Sequence, residues 1–222
     1  MDGKRRRLDL LLSHFHMDHL MGLYGSSFLF DPQMEVHIYG ERPGEKSLKE
    51  CLCQMFGPPY WPLPLDQLPA IIRFHAGDVF LLEDQIQVQT LSGVHPGGSI
   101  LYRLEEATQG SEPASVVYGL DCELTDAMFQ KLKEFAGACG LLICDACYTE
   151  AELLLRQGWG HGSIERCRKL RQASGAQQAL FMHYERSYQD TFLREQEKIS
   201  LAQDPACLFA REGMALKVHG QG

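Results

Sequence analysis

Near the start of the 222-residue chain, three imidazoles and one carboxylate fall within six residues: His14, His16, Asp18 and His19. They follow an apolar run at 8–12 that predicts a β-strand. Alternate side chains of an extended segment share a face, so His14 and His16 can point the same way. Asp18 and His19 then fall where the strand runs into a turn or the start of a helix. Two ligand pairs separated by one bend favour two adjacent metal ions over a single structural zinc.

The alternative for this segment is a histidine-rich loop that holds no metal. That interpretation is disfavoured because polar and charged groups are costly to cluster without a compensating charge.

Three further residues of ligand type follow apolar segments later in the chain: His95, Asp121 and His183. Each metal of a pair needs about four to five donors, with one position open for water, so one motif cannot complete the site. Strand ends combine a rigid scaffold with an open loop, which suits binding groups. Taken singly, each residue is more simply a satisfied structural side chain. The repeated placement favours a shared metal site.

The order of these ligands resembles that of the metallo-β-lactamase superfamily, and the resemblance covers nearly the whole chain. It implies a dinuclear centre in which Asp121 bridges two divalent metal ions. The first metal would be held by His14, His16 and His95. The second metal would be held by Asp18, His19 and His183. Zn²⁺ is the first choice because it suits His and Asp donors, with Mn²⁺ or Fe²⁺ as alternatives.

Two segments indicate which branch of the superfamily the chain resembles: CDACYT at 144–149 and GWGHGS at 158–163. They look like the phosphodiesterase branch of the superfamily, which includes tRNase Z-type enzymes and cyclic-nucleotide phosphodiesterases. In that branch an acidic residue at a strand end supports a histidine in a downstream turn, and Asp145 and His161 occupy those positions. The resemblance therefore implies that these two residues are catalytic, together with the metal ligand Asp18.

Such a site suits a phosphodiesterase that acts on small nucleotides, cyclic ones included. Two metals about 3.5–4 Å apart can clamp both sides of an in-line displacement at phosphorus, and a water bridging them becomes a hydroxide nucleophile near neutral pH. His161 can protonate the leaving alkoxide or contact the phosphate, while Asp145 fixes its tautomer. Ser163 is placed to cap the helix that follows.

Several alternatives stay open. His161 could instead have a packing or capping role in a glycine-rich turn. The chain could hydrolyse a carboxylic ester, thioester or lactone on the same metals. It could also be a non-catalytic metal-binding module.

Composition limits the expected partners. Lys and Arg total 21 against 29 Asp and Glu, which gives a formal net charge of −8. Apart from the first seven residues and a helical face at 166–171, no basic patch is evident, which disfavours long nucleic acid and favours a small-molecule phosphodiester. With no apparent export signal, the eight cysteines predict reduced thiols and a cytoplasmic location. No apolar run is long enough to cross a bilayer, and a homodimer stays open.

The apolar pattern predicts an α/β fold in a single metallo-hydrolase domain spanning 1–222. Strands dominate the middle and helices alternate with strands at the end, which fits a four-layer αβ/βα metallo-β-lactamase-like sandwich. Strands are predicted at 36–39, 71–74, 79–82, 86–91, 100–104, 115–119, 141–144 and 178–182, and near 208 and 216. Helices are predicted at 45–56, 126–138, 149–156, 163–174 and 189–202. Only 13 residues precede His14, whereas the superfamily begins with several strands, so we expect a sandwich truncated at the N-terminus with an unpaired sheet edge.

Overall fold

The computed structural model describes residues 6–40, 47–106 and 113–220. The chain divides into two compact units, Met1–Gly77 and Asp78–Gly222. The elements of the N-terminal unit are β1 (Arg6–Leu11), α1 (Met17–Leu20), β2 (Met34–Tyr39), α2 (Leu48–Met55) and β3 (Ile71–His75), with 3₁₀ turns at Met21–Gly25, Ser27–Phe30 and Leu65–Gln67. Those of the C-terminal unit are β4 (Val79–Leu82), β5 (Ile86–Gly93), β6 (Ser99–Glu106), β7 (Ser115–Gly119), α3 (Asp126–Ala136), β8 (Leu141–Asp145), α4 (Glu150–Leu153), α5 (Ile164–Ser174), β9 (Gln178–Met182), α6 (Asp190–Gln203) and β10 (Cys207–Phe209).

The sheet of the N-terminal unit is parallel throughout, with β2 between β1 and β3. Its apolar face is formed by alternate residues, among them Val36 and Ile38, and both are buried with Leu52 of α2 in one core. Helix α2 begins at a capping box, because Ser47 Oγ accepts the Glu50 N–H while the Glu50 carboxylate accepts the Ser47 N–H. The cap and the apolar face together explain why this segment is helical.

The sheet of the C-terminal unit has seven strands in the order β10-β9-β8-β7-β6-β5-β4. Strands β4 to β7 pair antiparallel, and strands β7 to β10 pair parallel. Parallel neighbours need crossover connections, which α3, α5 and α6 supply. Leu142 of β8 and Phe181 of β9 are buried with Leu132 of α3 and Leu170 of α5 in the core of this unit.

Most predicted elements have counterparts, and the exceptions have physical causes. The strand predicted near Leu216 is wrong, because 214–220 contains apolar residues but forms no ladder with a neighbouring strand. The helix predicted at 149–156 is shorter, Glu150–Leu153, and gives way to a turn before the glycine-rich segment. The predicted start of α2 at residue 45 lies outside the described residues.

The predictions of a single domain and of a truncated N-terminus stay predictions. Among the described residues, β1 and β3 form the two edges of the three-stranded sheet. No helix in the described part of the chain combines the length and the apolar character that crossing a membrane requires.

Candidate metal centre

The carboxyl ends of four strands in the C-terminal unit lie at one edge of the seven-stranded sheet. β5 and β7 both pair antiparallel with β6 and so run the same way, and β8 and β9 continue that direction by parallel pairing. The predicted residues follow or end these strands: His95 after β5, Asp121 after β7, Asp145 at the end of β8 and His183 after β9. The sheet topology therefore gathers residues that are far apart in sequence.

Asp121 and His183 form a close pair with unusual backbone geometry. His183 Nε2 lies 3.2 Å from Asp121 Oδ1, and Asp121 is only 1% exposed. Both residues adopt the left-handed conformation, with φ of +54° and +63°. Few non-glycine residues do so, although Asp and His are enriched among them, and such strain clusters at functional sites. The turns after β7 and β9 thus hold both side chains in positions that an ordinary strand end would not provide.

His161 and Asp145 form a second pair beside the first. His161 Nδ1 lies 2.9 Å from Asp145 Oδ2, and Asp145 is 1% exposed. The other carboxylate oxygen of Asp145 accepts the backbone N–H of Cys147 at 3.2 Å, which fixes the carboxylate plane. The His161 ring stacks on that of His183, with centroids 5.0 Å apart. The structure brings together the two residues predicted to act as a pair, and their catalytic roles stay predictions.

His95 is oriented by the backbone of the glycine-rich segment. Its Nδ1 lies 2.9 Å from the carbonyl oxygen of Gly160. A carbonyl oxygen can only accept, so Nδ1 carries the proton and Nε2 is the nitrogen that can bind a metal. The His95 ring also packs edge-on against the ring of His161, with centroids 5.1 Å apart.

The donor atoms of the C-terminal unit are close enough to share a cation. In each of two groups, one donor atom per residue lies within 4.8 Å of the others. The groups are His95, Asp121 and His161, and Asp145, Cys147, His161 and His183. Imidazole, carboxylate and thiolate are ligand types that Zn²⁺ accepts, and the first two also suit Mn²⁺ and Fe²⁺. These side chains therefore fit a divalent metal ion.

The N-terminal unit holds the other four predicted ligands, at the end of β1 and in α1. His14 is buried, with Nδ1 3.1 Å from Ser13 Oγ, and its ring centroid lies 4.8 Å from that of His16 and 4.3 Å from that of His19. His16 is the N-cap of α1, so the helix start predicted after the strand is observed. His19 Nε2 lies 3.6 Å from Asp18 Oδ2. The segment therefore brings its three imidazoles together.

The surroundings of Asp18 favour the ionised form of its carboxylate. Desolvation raises the pKa of Asp18, but a hydrogen bond from its own backbone N–H and the neighbouring His19 lower it more, so that the pKa lies below its usual value. A carboxylate that stays charged suits a ligand for a cation.

Two residues at this edge of the C-terminal sheet were not predicted to belong to the site. Cys147 joins Asp145, His161 and His183 in one donor group, and burial, helped by the charge of Asp145, raises the pKa of its thiol to about 12. Its CxxC partner Cys144 instead belongs to the hydrophobic core. Glu123 is a buried carboxylate bound to the glycine-rich segment. Its only signal in the sequence is a carboxylate amid apolar residues, two positions after Asp121.

Solved structures with the same fold have diverse activities. The structure of the metallo-beta-lactamase fold protein YhfI from Bacillus subtilis aligns with a TM-score of 0.62 at 18% identity, over 93% of this chain and 76% of that one. The short form of human tRNase Z aligns with a TM-score of 0.67 at 15% identity, over 95% and 79%. A diphosphatase of the PhnP family aligns with a TM-score of 0.62 at 15% identity, over 97% and 74%. At these identities the similarity establishes the fold.

No curated protein sequence matches the chain. A family model described as the beta-lactamase superfamily domain matches residues 3–184, which is most of the chain. This match and the structural similarity confirm the predicted superfamily and its α/β, metallo-β-lactamase-like fold class. Most members of this superfamily are metal-dependent hydrolases. The chain belongs to the family described as the beta-lactamase superfamily domain.

Proposed function

We propose that the protein is a metal-dependent phosphodiesterase that hydrolyses small nucleotides, cyclic ones included. The observation that carries the proposal is the pair of His161 and the buried Asp145, 2.9 Å apart and next to Asp121 and His183. Family membership supports the hydrolase class, and the pair supports the choice of substrate. A phosphodiester releases a poor leaving group that benefits from a proton donor.

The proposed metal ligands are the seven residues that the family resemblance assigns: His14, His16, Asp18, His19, His95, Asp121 and His183. In the C-terminal unit His95 and Asp121 share one donor group, and His183 Nε2 lies 3.2 Å from Asp121 Oδ1. In the N-terminal unit the rings of His14, His16 and His19 lie together. Imidazole and carboxylate are ligand types that a divalent ion accepts. When bound, two such ions supply Lewis-acid polarisation of the phosphate and lower the pKa of water, so that it serves as a nucleophile at neutral pH. Zn²⁺ is our first choice.

The protein side chains carry out the proton transfer. Asp145 accepts the Nδ1–H of His161 and stabilises a positive charge on the imidazole, since it is buried where water screens little. His161 Nε2 is then the nitrogen that donates a proton to the departing alkoxide. Asp145 also holds the ring in place, so little orientational freedom is lost in the transition state.

The proposed substrate is small rather than polymeric. The formal net charge of −8 opposes binding along an extended polyanion. A cyclic mononucleotide instead presents a single phosphodiester to the candidate centre. The proposal also retains a cytoplasmic location, because none of the eight cysteines, all of which lie among the described residues, forms a disulfide.

The test begins with metal analysis of protein loaded with Zn²⁺, Mn²⁺ or Fe²⁺. We expect two equivalents per chain and turnover of bis(p-nitrophenyl) phosphate, followed by cleavage of at least one member of a panel of cyclic and linear nucleotides. Turnover of p-nitrophenyl acetate, a thioester or a lactone without phosphodiester cleavage would replace the proposal by an acyl hydrolase. Two bound metals with no turnover of any ester would indicate a non-catalytic module.

A further inference from the structure

We propose that Glu123 is a positioning residue, which fixes the loop at 158–162 and through it orients both His95 and His161. The inference goes beyond the proposed function, and only its kinetic consequence rests on that function. Glu123 is not a candidate metal ligand. All of the contacts that carry the inference lie within the C-terminal unit.

Glu123 binds the loop through a single carboxylate oxygen. Its Oε2 accepts the backbone N–H of Gly158 at 2.7 Å and that of Gly160 at 3.1 Å. Glu123 is 8% exposed and Gly160 is buried, so water has little access to replace this acceptor at the Gly160 N–H. Its own backbone N–H donates to the carbonyl oxygen of Val94 at 2.8 Å. Glu123 therefore connects the loop to the residue that precedes His95.

Gly160 is held from two directions. Its N–H points to Glu123, and its carbonyl oxygen accepts the Nδ1–H of His95 at 2.9 Å. A Cβ atom at this position would lie 2.2 Å from His95 Nδ1, so the loop backbone lies directly against the imidazole. A shift of the loop would therefore be transmitted to His95 at once.

The same loop sets the position of His161, the next residue. Gly162 closes the segment on the other side, where an added Cβ would lie 2.3 Å from the carbonyl oxygen of Asp145. The loop is thus confined between Glu123, His95 and Asp145. Without the Glu123 acceptor, the N–H groups of Gly158 and Gly160 would have to turn toward water. The Gly160 carbonyl would then turn away from His95, and Nδ1 would lose the partner that keeps it protonated.

The test compares two substitutions of similar size in the metal-free protein. Glu123→Gln keeps an oxygen that can accept both N–H groups, whereas Glu123→Leu removes every acceptor. Correlation of histidine ring ¹H and ¹⁵N signals reports the tautomer of each imidazole. We expect His95 to be the Nδ1–H tautomer in the wild type and in Glu123→Gln, and a mixture of tautomers in Glu123→Leu. A single unchanged tautomer in a folded Glu123→Leu would overturn the proposal.

A second measurement applies even if Glu123→Leu does not fold. In the wild-type protein, the amide protons of Gly158 and Gly160 should exchange far more slowly than those of an unstructured peptide, because a buried carboxylate binds them. Rapid exchange of both amides would contradict the proposal.

The matched control is Asp204, another buried carboxylate of the same unit, whose Oδ1 accepts the Ala206 N–H at 3.1 Å. Asp204→Leu should lower thermal stability and leave the tautomer of His95 unchanged. If it changes the tautomer as Glu123→Leu does, the effect is a general loss of packing and the proposal fails.

Turnover provides the kinetic readout. In the metal-loaded enzyme, Glu123→Leu should lower kcat roughly 10- to 100-fold with little change in KM, which is the loss typical of a residue that orients a ligand. Glu123→Gln should stay within about threefold of the wild type, because its acceptor oxygen is retained. Equal kcat for all three proteins would overturn the kinetic part. If the wild type has no phosphodiesterase activity, the proposed function fails, but the tautomer and exchange measurements still decide the role of Glu123.

Discussion

At the residue scale, the candidate centre depends on polar side chains that are buried but paired. Asp145 is 1% exposed and places its two oxygens on His161 and on the Cys147 N–H. Burial makes each of these contacts stronger than it would be in water, and makes the loss of either partner costly. The effects of substitutions here should therefore be large and specific.

Replacing His161 by alanine tests the assigned proton donor. We expect His161→Ala to keep both metals and to lose phosphodiester cleavage by roughly 10²- to 10⁴-fold, the usual contribution of general acid catalysis. The measurements are kcat on bis(p-nitrophenyl) phosphate and metal content by mass spectrometry. His219→Ala, at an exposed histidine, serves as the control. Release of metal from His161→Ala would show that this imidazole is a ligand and that the assigned role is wrong.

A second prediction at the residue scale concerns the alkylation of the cysteine thiols. Burial raises the pKa of both Cys122 and Cys147 to about 12, so at pH 8 only about one such thiol in ten thousand is ionised. Cys53 is exposed, whereas the other seven cysteines are buried. Iodoacetamide at pH 8 should therefore label the folded protein once, at Cys53, as read by peptide mass spectrometry. Cys53→Ser should remove the label, and modification of Cys122 or Cys147 would contradict the described burial.

The sequence predicted some of these residues better than others. Asp145 and His161 were paired because their motifs resemble a known family, and Ser163 was expected to cap a helix, which it does by accepting the Arg166 N–H. Glu123 was not found, because its partners Gly158 and Gly160 lie 35 and 37 residues later, in a loop that returns to the sheet edge. No local periodicity encodes that return.

At the element scale, the glycine-rich loop connects α4 to α5, and close contacts set its shape. Gly158 and Gly160 both have positive φ, +84° and +87°. An added Cβ at Gly158 would meet nothing within 4 Å, whereas one at Gly160 would strike His95. A substitution at Gly158 therefore tests backbone strain alone, whereas a substitution at Gly160 also displaces the His95 imidazole.

Alanine substitution at these two glycines should give different results. Gly158→Ala incurs only the cost of a left-handed alanine, about 1 kcal/mol in the free energy of unfolding. Gly160→Ala adds overpacking of roughly 1–3 kcal/mol and should reduce kcat further by moving His95. Thermal unfolding and kcat of the two variants provide the comparison. Equal losses in both would mean that Gly160 does not position the imidazole.

The elements themselves were largely predictable, and the failures share a cause. Strands and helices with strong local periodicity, such as Ser115–Gly119 and Gln178–Met182, were predicted with the observed bounds. The predicted strand near Leu216 has a suitable apolar pattern but no ladder. Whether a segment becomes a strand depends on a neighbour that is distant in sequence, which a local pattern cannot supply.

At the scale of the whole molecule, stability should respond to acid through buried carboxylates. Desolvation raises the pKa of Asp204, but the Ala206 N–H and the charge of Arg171 lower it more, so that it lies below its usual value. The charged form therefore stabilises the folded state. This contribution is fully present above the unfolded-state pKa, for which the reference value is 3.8, and is lost as pH falls through the lower folded-state value.

Asp204→Asn measures this contribution. At pH 7 it should lower the free energy of unfolding by about 1.5–3 kcal/mol, the range for hydrogen bonds to a charged group, and the difference from the wild type should shrink below about pH 4. Thermal melts at pH 7, 5 and 3 give the comparison, with the exposed Glu212→Gln as control. A difference that stays constant down to pH 3 would show that the charge of Asp204 is not the cause.

The left-handed backbone at Asp121 and His183 has an evolutionary consequence. Holding two non-glycine residues there costs roughly 1 kcal/mol each, and a chain that still needs their side chains must tolerate that cost. A homologue that no longer needs these two side chains does not have to tolerate that cost. Substitution by glycine or asparagine at both turns would raise its free energy of unfolding. Homologues of this protein that have lost the proposed activity should therefore be recognisable by unstrained turns as well as by missing ligands.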